Sequence, residues 1–128
     1  MKLYRCKKCG QIVEVIKDTG VPLVCCGETM EELTPKIIEE GLTEKHLPIY
    51  EIHDGGVTIN VGSTLHPMLS NHYIEWILLV TNKGCQKVCL KPGKAPTVTF
   101  RLGYNEQIKA IYAFCNIHSL WITKVDCK

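Results

Sequence analysis

Nine side chains of metal-binding type fall into two sets of different chemistry. Cys6, Cys9, Cys25 and Cys26 are all sulfur; His46, His66, His72, Cys115 and His118 combine four imidazoles with one thiol. Four thiolates favour tetrahedral zinc or iron. Four imidazoles and a thiolate would leave one position of an octahedral ion open, as a catalytic centre requires and a structural centre lacks. The pattern therefore predicts two metal sites on one small chain.

The sulfur set is a C-x-x-C knuckle, Cys6-Lys7-Lys8-Cys9-Gly10, joined later by Cys25-Cys26-Gly27. The glycines permit tight turns that aim backbone amides at the sulfurs. A zinc ribbon would ordinarily use C-x-x-C twice. Here the second pair is adjacent, and neighbouring side chains of an extended chain point to opposite faces, so a distorted tetrahedron is expected. Spacing alone leaves zinc and iron equally compatible.

In the second set, Cys115-Asn116-Ile117-His118 follows an alternating segment, where a turn can aim both side chains at one point. His66 and His72 would stand about 20 Å apart on a straight strand, too far to share an ion. Pro67 biases His66 to an extended conformation and opens a bend. The segment from His66 to His72 thus reads as a loop whose ends approach each other. His46 lies in Glu44-Lys45-His46-Leu47-Pro48, at the entry to the first strand of the larger region. A lone histidine is more often a surface or core side chain, and His53, beside a turn and outside any motif, is assigned that role.

To hold these donors the chain needs two different scaffolds. Residues 1–36 contain few large apolar side chains. A strand is expected over Gln11–Ile16, a turn at Asp18-Thr19-Gly20 and a return strand over Val21–Val24. Ile12, Val13, Val15 and Ile16 are too few to fold alone, so the metal must supply what the core lacks. Thr34–Thr43 reads as a linker. Within a second domain of residues 37–128 the pattern is all-β from His46 onward, with strands at Pro48–Ile52, Gly56–Val61, Ile74–Thr81, Cys85–Lys91, Thr97–Leu102, Gln107–Phe114 and Leu120–Val125. Turn signals at Asp54-Gly55-Gly56, Asn82-Lys83-Gly84, Lys91-Pro92-Gly93 and Gly103-Tyr104-Asn105 separate them, the pattern of a β-sandwich.

Composition narrows the classes. A formal net charge of +2, with basic residues scattered, predicts neither nucleic acid nor membrane as partner. Met1–Gly10 is polar and lacks a secretory pattern, and the apolar run Trp76–Val80 is far too short for a bilayer, so a cytoplasmic protein is expected. Eight cysteines invite a disulfide framework, but a reducing cytosol and the adjacent Cys25-Cys26 pair argue against one.

These motifs together resemble the desulfoferrodoxins, the two-iron superoxide reductases. The resemblance spans nearly the whole chain: the desulforedoxin-like cysteines, Glu44-Lys45-His46-Leu47-Pro48, His66-Pro67-Met68, Asn71-His72-Tyr73-Ile74-Glu75-Trp76, Leu90-Lys91-Pro92-Gly93, Cys115-Asn116-Ile117-His118 and Leu120-Trp121. It implies a small desulforedoxin-like domain followed by an immunoglobulin-like β-sandwich. It implies two iron ions per chain: one on Cys6, Cys9, Cys25 and Cys26, the other with His46, His66, His72 and His118 equatorial and Cys115 axial. Lys45 would stand by the open position, and Glu44 would be a candidate ligand of the resting oxidised state. The implied activity is one-electron reduction of superoxide to hydrogen peroxide, with rubredoxin or a similar donor returning the electron to a homodimer. Cys85, Cys89 and Cys127 are additional thiols. Cys89 is expected to be a small core hydrophobe and Cys127 a free surface thiol. Two rival classes follow from the residues alone: an electron-transfer protein whose histidine site is structural, and a zinc-holding binding module, which the absence of a basic stripe disfavours.

Overall fold

The computed structural model describes residues 1–125 and divides between Thr34 and Pro35 into two compact units. Cys127 lies outside the described residues.

In the first unit, β1 (Lys2–Arg5) pairs antiparallel with β2 (Ile12–Val15), and on its other side with β5 (Glu31–Glu32). A separate minimal hairpin joins β3 (Val24–Cys25) to β4 (Glu28–Thr29). The expected return strand over Val21–Val24 does not pair with the segment before it. Gly20, with φ of +83°, turns the chain, and its amide donates to Asp18 Oδ1 at 2.9 Å. Pro22 then has no amide to offer a ladder. The N-terminal strand takes that place instead. Buried side chains are few: Leu3, Cys6, Met30 and Leu33, while Ile16 is 97% exposed.

Among its described residues the second unit contains one helical turn and seven strands. The turn is α1 (Thr43–His46), followed by β6 (Pro48–His53), β7 (Gly56–Val61), β8 (Ile74–Thr81), β9 (Gly84–Cys89), β10 (Thr97–Arg101), β11 (Ile108–Cys115) and β12 (Ser119–Lys124). They form two antiparallel sheets, ordered β10-β7-β6 and β12-β11-β8-β9. The inward faces meet in one core: Val57, Ile59 and Val61 from one sheet, and Ile77, Leu79, Ile111, Ala113 and Cys115 from the other. Period-two alternation does this placing, since Val57, Ile59 and Val61 share a face, as do Ile111, Ala113 and Cys115. Cys115 is thus the last inward position of β11, fully buried at one end of the core.

Two further expectations need correction, and one short element was not expected. Cys89 is exposed, because on β9 the inward positions are Gln86 and Val88, which leaves Cys85 and Cys89 facing outward. Part of the expected linker is ordered: Lys36 forms a parallel bridge to Trp121 of β12. The turn Thr43–His46 is helical, too short to leave a periodic signal.

Candidate metal centres

The four sulfurs of the first unit lie within 4.8 Å of one another. Cys9 Sγ and Cys25 Sγ are 3.6 Å apart, and Cys25 Sγ and Cys26 Sγ 3.9 Å apart. A tetrahedron with metal–sulfur bonds of about 2.3 Å has corners about 3.8 Å apart, so these spacings fit one ion. Adjacent cysteines can both face one ion because the chain is not extended there. Cys26 has φ of +53° and Gly27 φ of +75°, and this left-handed pair turns both thiols to one side. Backbone amides at Cys9 and Lys8 pull the Cys6 thiol down to about 6. Hydrogen bonding to the Cys6 and Cys9 sulfurs pushes Cys25 up to about 12, and Cys26 is raised as well. Four thiolates packed this closely cannot all ionise unless a cation joins them. A cavity of about 440 Å³ in this unit, lined by Tyr4, Val15, Leu23 and Met30 among others, contains none of the four cysteines.

In the second unit, five donor atoms from three separate segments converge, again within 4.8 Å of one another: one each from His46, His66, His72, Cys115 and His118. Alternation and turn geometry explain each arrival. His46 ends α1 and is buried. His66 and His72 bracket a loop closed by reciprocal Leu69 and His72 backbone bonds of 2.9 and 3.1 Å, which brings their rings to 4.6 Å. Cys115 and His118 sit on the β11–β12 turn, where the ladder to β8 shifts register between Phe114 and Cys115. The extra residue, Glu75, lies on β8, so the alternation along β11 that turns Cys115 inward is unbroken.

The hydrogen bonds show what these nitrogens require. His46 Nδ1 donates to the Leu42 carbonyl at 2.8 Å and His66 Nδ1 to the Pro67 carbonyl at 2.7 Å. A carbonyl can only accept, so both rings carry their proton on Nδ1 and present a bare lone pair on Nε2. Those two Nε2 atoms face each other at 3.1 Å, and His118 Nδ1 is 3.1 Å from His46 Nε2. His72 Nε2 is buried with no hydrogen-bond partner. Lone pairs held this close are repulsive unless a cation lies among them. Burial lowers His46 and His72, and takes His66 down to about 4, so the imidazoles are kept neutral as ligands must be. Burial raises the Cys115 thiol, an effect partly opposed by the amides of His118 and Ile117. The His118 amide donates to Cys115 Sγ at 3.3 Å. The residues present therefore fit a metal ion.

Glu44 and Lys45 are exposed on α1, outside the cluster of five donors. The Glu44 carboxylate accepts from the Thr64 hydroxyl. Lys45 reaches the site by its charge, adding to burial and to His118 in lowering His72. Gly62 holds this corner together. With φ of +89°, a Cβ there would stand 2.2 Å from the Thr64 carbonyl oxygen and 2.7 Å from that of Lys45, so the close approach requires glycine. His53 is exposed and bonds Thr58 Oγ1 at 3.0 Å, apart from both clusters, as expected.

Two supporting residues were not singled out from the sequence. Asn116 accepts from the Tyr73 amide at 3.0 Å and donates to the Asn71 carbonyl at 3.0 Å, pinning the histidine loop to the β11–β12 turn. Trp121 is fully buried, stacks on His46 at 4.9 Å between ring centroids, and donates from Nε1 to the His118 carbonyl at 3.1 Å. An asparagine beside a cysteine ligand and an inward tryptophan on the next strand were the available signals.

Comparison with known proteins agrees with this geometry. The family model described as Desulfoferrodoxin matches residues 38–124, and that of the Desulfoferrodoxin N-terminal domain matches residues 1–33. A desulfoferrodoxin of Nitratidesulfovibrio vulgaris is 42% identical over 120 residues, covering 94% of this chain and 93% of that one. The crystal structure of the superoxide reductase from Treponema pallidum superposes with a TM-score of 0.79 at 34% identity, covering 96% of each chain. A superoxide reductase (1Fe-SOR) from Giardia intestinalis superposes with a TM-score of 0.54 at 31% identity, over 66% of this chain and 99% of that one. With both of its units matched, and its four-cysteine and histidine–cysteine groups corresponding to that family's two iron centres, the chain belongs to the desulfoferrodoxin family.

Proposed function

We propose that this chain is a superoxide reductase, taking one electron and two protons to convert each superoxide anion into hydrogen peroxide. The observation that carries the reading is the convergence of four imidazole nitrogens with the buried Cys115 thiol. His46, His66, His72, His118 and Cys115 would hold the catalytic iron, and Cys6, Cys9, Cys25 and Cys26 the other. Iron supplies the one-electron couple that zinc lacks.

The chain's own groups do the rest. Leu42 and Pro67 carbonyls fix two ring tautomers, so the imidazoles need no rearrangement to bind. The His118 amide stabilises the Cys115 sulfur as an anion. Lys45 offers the incoming anion a positive charge. At about 6 Å and an effective dielectric of 20 to 80, the attraction is roughly 0.7 to 3 kcal/mol, enough to speed capture but not to perform the redox step. Glu44, tethered to Thr64, is the carboxylate available to approach the open side between turnovers.

The reading extends to a cytoplasmic homodimer served by rubredoxin or a similar one-electron donor, with domains 1–36 and 37–128 and with neither nucleic acid nor membrane as partner. Among the described residues no helix is long and apolar enough to cross a membrane. The test is stoichiometric. With an electron donor present, a reductase yields one peroxide per superoxide consumed, whereas disproportionation yields one per two. Replacing Cys115 with serine should alter the iron's visible charge-transfer spectrum, because it removes the sulfur donor. An unaltered spectrum would exclude Cys115 as a ligand.

A further inference from the structure

Lys36 lies outside the ligand set yet is held against it. Its amide donates to the Leu120 carbonyl at 2.8 Å, and its carbonyl accepts from the Ile122 amide at 3.0 Å, so its backbone is fixed on either side of Trp121. Its ammonium stands 5.7 Å from the centroid of the Trp121 ring, within cation–π range. That same ring stacks on His46 at an interplanar angle of 22° and bonds the His118 carbonyl. Glu39 Oε2 accepts from the ammonium at 2.9 Å. Glu39 is anchored in turn: its amide donates to Thr43 Oγ1 at 2.8 Å, and its carbonyl accepts from Leu42 and Thr43 amides at 2.9 and 3.1 Å. Leu42 is the residue whose carbonyl holds the His46 ring.

We propose that Lys36 is a second cation of the histidine–cysteine site, one that favours the reduced ion and raises the centre's reduction potential, with Glu39 setting how much of that charge is felt. The inference rests on the reading of this centre as a one-electron iron site. Reduction lowers the positive charge among the ligands by one, so a fixed nearby cation destabilises the oxidised state more than the reduced one. The low-dielectric ring of Trp121 keeps water from screening the direction toward His46. A salt bridge to Glu39 moderates the field without removing it, because the lysine, not the glutamate, lies over the ring.

The test is a potentiometric titration of the iron-loaded full chain, followed at the ferric absorption of the histidine–cysteine centre, with iron content checked in every variant. Lys36→Met keeps the aliphatic stem and the backbone pairing while removing the charge. It should lower the ferrous-to-ferric ratio at fixed potential about fivefold, equivalent to ~40 mV downward for a one-electron couple. Lys36→Arg should stay within about twofold of the parent. Glu39→Gln should move the ratio upward, the opposite sign, which general loosening of the site would not produce. Equal potentials in the parent and Lys36→Met overturn the proposal, as does Glu39→Gln shifting in the same direction as Lys36→Met. A parent centre with no one-electron step overturns the reading of redox iron itself, and this inference with it.

Discussion

The two metal centres obtain their order from opposite sources. Around the cysteines only Leu3, Met30 and Leu33 accompany Cys6 in burial, and the strands are two to four residues long. Around the histidines, two sheets close over a continuous apolar core whose last inward position is a ligand. In the first unit the metal must organise the protein. In the second, a packed core and backbone hydrogen bonds position the donor segments. The same element can thus be a folding requirement in one region and an occupant in the other.

Stripping the metal is the largest perturbation and breaks the comparison most directly. Apparent binding energies of about 10–16 kcal/mol are typical where a small site folds only around its ion. Chelation should therefore abolish the amide dispersion of residues 1–34 in NMR spectra while the core of β7, β8 and β11 keeps its protection from hydrogen exchange. Equal loss in both units would refute the contrast.

Next in size is Trp121→Ala. Removing a fully buried indole costs about 3–5 kcal/mol, and here it also frees the His46 ring. Thermal or denaturant unfolding should show the second unit destabilised by that amount, with the first unit unaffected in its own transition.

Acid sharpens the comparison further. His66 is held down to about 4 by burial, below the ordinary range near 6.5, so between those values the unfolded chain binds a proton that the folded one refuses. Stability of the metal-free second unit is therefore present above pH 6.5 and is lost as pH falls toward 4, by about 3 kcal/mol from this side chain. His66→Gln should flatten that part of a denaturation-versus-pH curve; an unchanged slope would assign the acid sensitivity elsewhere.

The smallest effect belongs to Lys45→Ala. Loss of roughly 0.7 to 3 kcal/mol of attraction should slow second-order superoxide capture by about threefold to a hundredfold, and raising ionic strength should narrow the gap. Pulse-generated superoxide with fast absorption detection reads this rate. An identical rate in parent and variant would remove the steering role.

Legibility followed the same division. The donors of both centres could be read from residue type and local motif, and β7 and β8 were readable to their end residues, β7 by a period-two alternation of apolar side chains and β8 by an apolar run closed by a turn signal. The first unit was harder. Lys2–Arg5 carries no such pattern, so its pairing with β2 was invisible, and Pro22 denies a return strand over Val21–Val24 one of its amides. The compact Cys25-Cys26 corner depends on a positive φ at Cys26, which nothing about a cysteine announces. Cys89 was misplaced because edge strand β9 has only Val88 to mark its inner face, and a single-position slip exchanges the two faces. The role of Asn116 is a contact between segments 43 and 45 positions apart, beyond the reach of local spacing.

The carbonyl locks on His46 and His66 also govern how the pocket is filled. Because those rings cannot trade protons or flip without abandoning Leu42 and Pro67, the nitrogens remain electron-rich and ready for any borderline divalent cation. Bare affinity for such donors rises from iron toward copper, with zinc also ahead of iron. Correct loading is therefore a matter of which ion the cell offers as the chain matures, and expression in zinc-rich, iron-poor medium should yield a well-folded but redox-silent protein.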